Sequence, residues 1–231
     1  MTPLEIQLQN PVWFSLAETH KKFAIEYDGV RFYHPEVCPF GAFLDASRTV
    51  NASNEYLKTT DSFFYVSEHK IPEIDESKVS LVRKIDGCQM VLAQQTNMPI
   101  TEEIILLDET YMDEIYDLVW LVMPGYYKKR TFEMGKYYGI IKEGQLVSIA
   151  GQRMQTNLFI EVSAVVTHPD HTRKGLAGQL ITYNTSEILK ENKLPILHTT
   201  KGNPAISLYE KLGYELTRDM NWWLYRRNNS E

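Results

Sequence analysis

The stretch VSAVVTHPDHTRKGLAGQL, residues 162–180, contains three patterns that together predict a local fold. It starts in a run typical of a β-strand, passes through a basic turn that contains Gly175, and continues with apolar residues at helical spacing. The first backbone N–H groups of a helix have no acceptor within the helix, and the helix dipole adds about half a positive charge at that end. A strand, a glycine-bearing turn and a helix in this order therefore predict a site that binds an anion.

The expected ligands in this turn are the backbone amides from Arg173 to Gly178. Gly175 permits close approach of the backbone, and the small side chain of Ala177 leaves room over the first turn of the helix. Arg173 and Lys174 add full positive charges. The chain contains neither GxxxxGK[ST] nor GxGxxG after a strand, which argues against a nucleoside triphosphatase and a dinucleotide-binding fold.

A second segment, GNPAISLYEKLGY at 202–214, predicts a short helix with Asn203 at or near its cap and Gly213 at its end. The runs PILHTT at 195–200 and NWWLYRR at 221–227 predict strands on either side of it. Strands and helices therefore alternate along this part of the chain, which is typical of an α/β fold.

Together, the segments 162–180 and 202–214 resemble the GCN5-related N-acetyltransferase (GNAT) superfamily, and most of all its FR47-like branch. The first segment resembles the [QR]xxGx[GA] motif that binds the pyrophosphate of acyl-CoA, and the second resembles the tyrosine-containing helix that follows it. The match is strong over 135–225 and extends over 101–231. The resemblance implies a mixed central sheet flanked by helices and acetyl-CoA as co-substrate.

The N-terminal part, 1–100, is expected to form an accessory α/β domain, and 101–231 the acetyltransferase domain. Polar residues and Pro99 in QQTNMPITEE, 94–103, interrupt the pattern at this boundary. The N-terminal part resembles only the accessory half of some tandem-type relatives. A degenerate copy of the same fold and a separate cap both remain open.

Three local predictions precede the motif. The sequence predicts a helix around 11–24, a hairpin at Asp28-Gly29, and a helix within 101–123 that Thr101 or Asp108 caps. A second hairpin is expected at Glu143-Gly144, in YYGIIKEGQLVSIAG.

The resemblance also implies roles for single residues. In the family, the strand before the turn pairs through its backbone with the pantetheine arm, and the turn amides hold the pyrophosphate. The residues that this implies for acyl-CoA binding are Val165, Val166, Thr167, Arg173, Lys174, Gly175, Leu176, Ala177, Gly178 and Asn203. One departure is Thr172, where the motif has Gln or Arg; because backbone amides supply most of the cradle, we expect binding to survive it.

Acetyl transfer to an amine needs a neutral amine, a stabilised oxyanion and a proton for the departing thiolate. Tyr209 is the candidate general acid, since a phenol with a pKa of about 10 stays protonated at neutral pH. The alternative for Tyr209 is packing under the sheet.

Glu161 is the candidate base, directly or through water. It lies on a strand face that alternation assigns to Glu161, Ser163 and Val165. The alternative for Glu161 is a carboxylate at the rim, and a backbone amide near Val166 is the candidate oxyanion donor by resemblance.

The segment MPGYYKKRTFEMG, 123–135, occupies the place of the acceptor-binding loop in this superfamily. The candidate substrate-binding residues are Tyr126, Tyr127, Arg130 and Glu133. Arg130 suits an acceptor carboxylate through bidentate bonding, although a solvated surface charge has the same sequence signature.

The whole chain limits the classes of function. Its 231 residues carry a net charge of -6, which argues against broad nucleic-acid binding. Two cysteines without CxxC spacing predict neither a disulfide framework nor a metal site. No run approaches the roughly 20 apolar residues of a membrane span, and the N-terminus does not resemble a secretory signal, so we expect a cytoplasmic protein. The oligomeric state is left open.

The leading hypothesis is an acyl-CoA-dependent N-acyltransferase that transfers acetyl from acetyl-CoA to a primary amine of a small molecule or amino acid. A catalytically silent CoA-binding or interaction module is the alternative, and phosphate binding without CoA is a third. Thr172 and the lack of an unmistakable base keep the silent module open.

Overall fold

The computed structural model describes residues 1–96 and 98–228, and its main feature is a mixed sheet of eleven strands in this part of the chain. The strands are β1 (Ala24–Tyr27), β2 (Val30–Tyr33), β3 (Phe40–Ala42), β4 (Ser62–Ser67), β5 (Val79–Leu92), β6 (Ile105–Leu107), β7 (Tyr137–Lys142), β8 (Gln145–Gln155), β9 (Phe159–Thr167), β10 (Leu194–Thr200) and β11 (Tyr214–Arg227). The helices are α1 (Pro3–Gln9), α2 (Pro11–Ala17), α3 (Thr49–Tyr56), α4 (Met112–Val122), α5 (Leu176–Lys190) and α6 (Ile206–Lys211).

The strands lie in the order β1-β2-β3-β4-β11-β5-β10-β9-β8-β7-β6. The β3–β4 and β10–β9 pairs are parallel, and the other neighbours pair antiparallel. This mixed sheet with flanking helices confirms the predicted fold class. Strand β11 lies between β4 and β5, so the last strand of the chain pairs with two strands of the N-terminal part. A division into domains near residue 100 stays a prediction.

Helices α4 and α5 cover opposite faces of the C-terminal strands. Ile115 and Val119 of α4 pack against Ile149, whereas Leu180 of α5 packs against Ala150 on the other face. Burying each of the large aliphatic side chains contributes about 1.5–3 kcal/mol. Within residues 1–96 and 98–228, no helix is both long and apolar enough to cross a membrane.

Both predicted hairpins are confirmed. Asp28 and Gly29 have φ values of 50° and 77°, and Glu143 and Gly144 have φ values of 52° and 78°. Two consecutive positive φ angles match the right-handed twist of paired strands, which is why an acidic residue followed by glycine marks such a turn.

The helix predicted around 11–24 is shorter than expected. It ends at Ala17, and a separate helix, α1, precedes it with Thr2 as its cap. Beyond the helix, the His20 ring lies in a buried site, where its nitrogens lie 2.9 Å from the Tyr33 hydroxyl and 2.9 Å from the Met134 carbonyl.

The helix predicted within 101–123 starts later than its pattern suggests. Residues 105–107 form strand β6 because they pair with the free edge of β7. Asp108 caps a 3-10 turn by accepting a hydrogen bond of 2.9 Å from the Thr110 amide, and α4 then begins at Met112. Tertiary pairing outweighs local helix propensity here.

Candidate active site

Two parallel strands separate in the middle of the sheet. Strands β9 and β10 pair at Phe159–Leu194, Ile160–Pro195 and Ile196–Glu161. Among the described residues the pairing stops there, although β9 runs on to Thr167 and β10 to Thr200. Strand β10 stays paired with β5 as far as Thr200, so a wedge-shaped gap opens between β9 and β10.

A β-bulge in β9 accompanies this gap. Ala164 has a φ of 49°, and the register with β8 shifts between Ile149 and Gly151. A bulge inserts one residue and reverses the alternation of faces beyond it. Val165 therefore packs on the face covered by α5, and the prediction that it shares a face with Glu161 is wrong.

The gap forms the floor of a cleft of about 460 Å³. Its walls come from β9, β10, the start of α6, the segment before β7, and strands of the N-terminal part and β11. The lining residues are Phe40, Ile85, Met123, Tyr126, Arg153, Val162, Ser163, Ala164, Val165, Leu197, His198, Thr199, Thr200, Asn203, Ala205, Tyr209 and Trp222. In the part of the chain that the structure describes, no three His, Cys, Asp or Glu side chains group closely enough to hold a metal ion.

The turn before α5 has the geometry of an anion cradle. Arg173 and Gly175 have φ values of 60° and 78°, and α5 begins at Leu176. None of the described residues accepts a hydrogen bond from the amides of 173–178. A surface groove of about 300 Å³ follows this turn and includes Thr167 at the end of β9.

Gly178 lies close to the end of the Met98 side chain. A Cβ atom at Gly178 would lie 2.7 Å from the Met98 sulfur, so that flexible side chain would have to move aside. Gly175 has open space around a Cβ position, so the preference for glycine at this position comes from the positive φ alone. The structure thus places the residues of the predicted cradle together, with free amides at the start of the helix.

Tyr209 on α6 lines the cleft. Its hydroxyl makes no hydrogen bond to a described residue, and burial, with a smaller effect of Cys88, raises the pKa of the phenol. The nearby Asn203 fixes the turn from β10 to α6, because its Oδ1 accepts from the Ala205 amide at 2.9 Å and its Nδ2 donates to Thr199 Oγ1 at 2.7 Å.

Glu161 lies in a buried network and not at the cleft wall. Arg153 donates to it through Nε at 2.8 Å and Nη2 at 2.7 Å, and His198 Nδ1 lies 2.9 Å from its Oε1. Burial alone would raise the pKa of Glu161, but Arg153 and His198 outweigh it and lower the pKa to about 2. The expectation of an accessible carboxylate is corrected, since the side chain is 0% exposed and its charge is paired.

The same network indicates the tautomer of His198. Its Nε2 lies 3.0 Å from Gln89 Nε2, which also donates to the Leu8 carbonyl at 3.0 Å. An amide nitrogen only donates, so His198 Nε2 accepts and Nδ1 carries the proton that points at Glu161. The imidazole is fully buried, and the backbone of His198 is the part that borders the cleft.

The predicted acceptor residues separate into two groups. Tyr126 lines the cleft, and Tyr127 lines a small inner pocket of about 20 Å³ beside it. Arg130 and Glu133 do not line either space; they bond to each other at 2.6 and 2.9 Å on the exposed side of a 3-10 helix, Lys129–Met134. A spacing of three residues places both on one outward face, and a role of these two residues in acceptor binding stays a prediction.

Sequence reasoning missed several cleft residues. Arg153 is the lone charged residue of β8, and His198 follows directly on the apolar residues of β10. A charge inside such a strand is a signal that is visible in the sequence. Phe40, Ile85 and Trp222 carry no such signal, because they reach the cleft only through the pairing of β11 with β4 and β5.

Comparisons with known proteins agree with this geometry. Residues 137–224 match the family model described as FR47-like protein. A protein from Novosphingobium aromaticivorans assigned to the GNAT family of acetyltransferases is 27% identical, with a TM-score of 0.85 over 96% of this chain and 99% of that chain. The family-model match over 137–224 and the structural match over 96% of the chain support the GNAT superfamily and its FR47-like branch.

More distant GNAT structures share the fold. A GCN5-related N-acetyltransferase-like protein from Streptococcus suis is 15% identical, with a TM-score of 0.62 over 97% of each chain. A GCN5-related N-acetyltransferase from Kribbella flavida is 14% identical, with a TM-score of 0.59 over 90% of each chain. No protein of curated function matches the sequence. The GNAT fold is that of acyl-CoA-dependent N-acetyltransferases, and it implies acetyl-CoA as the acyl donor.

Proposed function

We propose that this GNAT protein transfers the acetyl group of acetyl-CoA to a primary amine of a small molecule or amino acid, by direct attack of the amine. The observation that carries the proposal is the gap between β9 and β10, with free amides at its mouth and an unbonded phenol on its wall. Acetyl-CoA supplies the activated thioester when it is bound.

The residues present fit this co-substrate. The amides of 173–178 lie at the positive end of α5 and suit a pyrophosphate. Val165, Val166 and Thr167 lie on the unpaired edge of β9 and suit backbone bonding to a pantetheine arm, and Asn203 lines the same wall. Arg173 and Lys174 add positive charge without being required to form the cradle.

Tyr209 is the residue we assign to proton donation. Burial raises the pKa of its phenol, so the proton is present at neutral pH and is available to the departing sulfur. A backbone amide near Val166 stabilises the developing oxyanion in this proposal. Glu161 enters as a positioning residue that fixes the Arg153 guanidinium, and the amine loses its proton to solvent.

The accessory role of 1–100 forms part of the proposal. Phe40 and Ile85 from this part line the cleft together with Trp222 of β11. These apolar residues exclude water from the side of the cleft opposite the cradle, where the amine approaches.

The decisive experiment measures release of CoA thiol from acetyl-CoA with a broad panel of amines, for the wild type and for Tyr209→Phe. We expect kcat to fall about 100-fold in the variant, while the affinity for CoA in calorimetry stays near that of the wild type. Tyr183→Phe is the matched control, because Tyr183 is a tyrosine of α5 that packs on Tyr138 outside the cleft. Equal kcat values for Tyr209→Phe and the wild type would remove the phenol from the mechanism.

A catalytically silent CoA-binding module is the second candidate. It is favoured by the burial of Glu161, because the described lining of the cleft then contains no carboxylate. The same assay separates the two, since a silent module binds CoA and releases no thiol with any amine. Thermal stabilisation by pyrophosphate or ATP that exceeds the effect of acetyl-CoA would instead indicate phosphate binding without CoA.

A further inference from the structure

The guanidinium of Arg153 has unused donors that face the cleft. An arginine carries five N–H donors in a planar fork. Nε and Nη2 use one edge of this fork to bind Glu161, and among the described residues nothing accepts a hydrogen bond from Nη1. The side chain is 16% exposed and lines both the cleft and the inner pocket. Glu161 therefore fixes the guanidinium and leaves its outer end free.

A buried hydroxyl without a well-formed hydrogen bond lies beside this guanidinium. Tyr127 is 5% exposed, and its hydroxyl lies near that of Tyr137 but makes no hydrogen bond of good geometry to a described residue. Leaving such a group unsatisfied costs about 1–3 kcal/mol. Burial and the neighbouring Tyr137 raise the pKa of the Tyr127 phenol far above its ordinary value, so it can donate a hydrogen bond at any physiological pH. Tyr127 and Arg153 line the same inner pocket.

The surroundings define what group fits there. The inner pocket of about 20 Å³ has room for one small polar group, and its lining adjoins Ser163 and Ala164 at the bulge of β9. The cleft next to it is apolar and aromatic; the Arg153 guanidinium lies 4.9 Å from the Phe40 ring centre, and Ile85 and Trp222 are on the same wall. Two kinds of donor beside an apolar cleft suit an anionic oxygen pair on an apolar molecule.

We propose that the acceptor is an amine that carries a carboxylate and an apolar body, and that Arg153 and Tyr127 bind this carboxylate. The inference rests on the proposed function and names the substrate class of the same site. In the reaction, the amine nitrogen forms a bond to the acetyl carbon, the carbon–sulfur bond breaks, the thiolate takes a proton and the amine loses one. The carboxylate does not change and serves only to orient the acceptor.

The first test compares acceptors with and without a carboxylate on the wild-type protein. L-Phenylalanine is compared with 2-phenylethylamine, and L-leucine with 3-methylbutylamine, in the thiol-release assay with acetyl-CoA. The proposal predicts that kcat/KM, corrected for the neutral fraction of each amine, is at least tenfold higher for the amino acid of each pair. Equal values, or a preference for the simple amines, would overturn it.

Tyr127→Phe is the sharpest variant. The lost hydroxyl makes no hydrogen bond of good geometry in the protein, so the fold should keep its stability, and a purely structural tyrosine would leave the kinetics unchanged. We expect KM for the amino acids to rise three- to tenfold, with kcat and the simple amines unaffected. Tyr138→Phe is the matched control, because Tyr138 is buried on the opposite face of β7, in the cluster under α5. Arg153→Lys keeps the positive charge beside Glu161 but removes the planar guanidinium. We expect this variant to lose the higher kcat/KM for acceptors that carry a carboxylate.

Binding of products gives a readout that needs no turnover. N-Acetyl-L-phenylalanine and N-acetyl-2-phenylethylamine are titrated into the protein with CoA bound. The proposal expects the acid to bind at least tenfold more tightly, and Tyr127→Phe to weaken the acid alone. Equal binding of the two compounds would indicate that the inner pocket holds a water molecule and that Arg153 is only structural.

The outcomes also separate this inference from the proposed function. Acid-selective product binding that depends on Tyr127, without thiol release from any amine, would support the carboxylate site and reject the transferase. Thiol release from all amines regardless of a carboxylate would support the transferase and reject the carboxylate site.

Discussion

The two ends of the cleft are built in different ways. At the end near α5, the chain offers backbone amides from 173–178, and their exposure follows from the start of one helix. At the other end, side chains from three strands meet in the buried network of Arg153, Glu161 and His198. The first end depends on local conformation, and the second depends on how β8, β9 and β10 pair.

This difference explains why the two ends respond differently to change. Backbone amides remain when a side chain is replaced, so the cradle tolerates substitution except where a positive φ is needed. Removing either partner of a buried ion pair lowers the stability of the fold, because the remaining charge is then neither paired nor solvated by water. The predictions below test this contrast, starting with the largest expected effect.

Glu161→Ala is expected to destabilise the protein most. It leaves the Arg153 charge in the interior without its partner, and such a loss typically costs about 3–5 kcal/mol of unfolding free energy. Urea denaturation measures this change. Glu133→Ala is the control, because it removes an arginine partner on the surface and should leave the midpoint near that of the wild type. A similar midpoint for both variants would contradict the contrast between the two ends.

The second prediction concerns pH and His20, whose ring bonds to the Met134 carbonyl at the end of the 3-10 helix near the inner pocket. Burial lowers the pKa of His20 from 6.5 to about 4. The unfolded chain therefore binds more protons between these values, and stability that is complete above pH 6.5 falls by about 3 kcal/mol as the pH decreases to 4. Because the pKa of Glu161 is lowered to about 2, a further loss follows below pH 4.5.

Urea titrations from pH 7 to pH 4 measure this dependence. His20→Gln should flatten the curve between pH 6.5 and 4, whereas His69→Gln, at an exposed site, should keep the wild-type slope. A slope that persists in His20→Gln would assign the pH dependence to another group.

Gly175→Ala tests the cradle end. An L-residue at a φ of 78° is strained by about 1–2 kcal/mol, and relief of this strain would move the free amides. We expect the affinity for acetyl-CoA in calorimetry to fall about tenfold, which corresponds to about 1.4 kcal/mol. Gly144→Ala is a matched control, because Gly144 also has a φ of 78° and open space around a Cβ position but lies in the β7–β8 hairpin. Equal loss of affinity in both variants would mean that the effect is global.

Lys174→Ala should have the smallest effect. The side chain is exposed and donates to the Asp170 carbonyl at 3.1 Å, so it contributes only a screened charge to the cradle. We expect acetyl-CoA affinity to fall two- to fivefold at low salt and to match the wild type at high salt. A hundredfold loss would show that side-chain charge, and not the backbone, holds the pyrophosphate.

The fold class and the cradle were accessible from the sequence because their signals are local. The two hairpins at Asp28-Gly29 and Glu143-Gly144 and the turn before α5 follow from residues that adopt positive φ within a few positions. The bulge at Ala164 was not accessible, because it depends on the register between β8 and β9. The choice between a pocket and a surface position for Arg130 stayed open for the same kind of reason, since packing decides which side of a 3-10 helix faces the cleft.

By itself, the sequence determined the elements whose geometry lies within a short segment: the hairpins, the strand-turn-helix around Gly175, and the family to which its motifs point. The tertiary structure alone decided that Arg153 and His198 meet Glu161, and that Phe40 and Trp222 enclose the same cleft. Backbone amides are exposed by local dihedral angles, which a few residues set. A site made of side chains from distant strands exists only after pairing has fixed the register of each strand and buried the charges together.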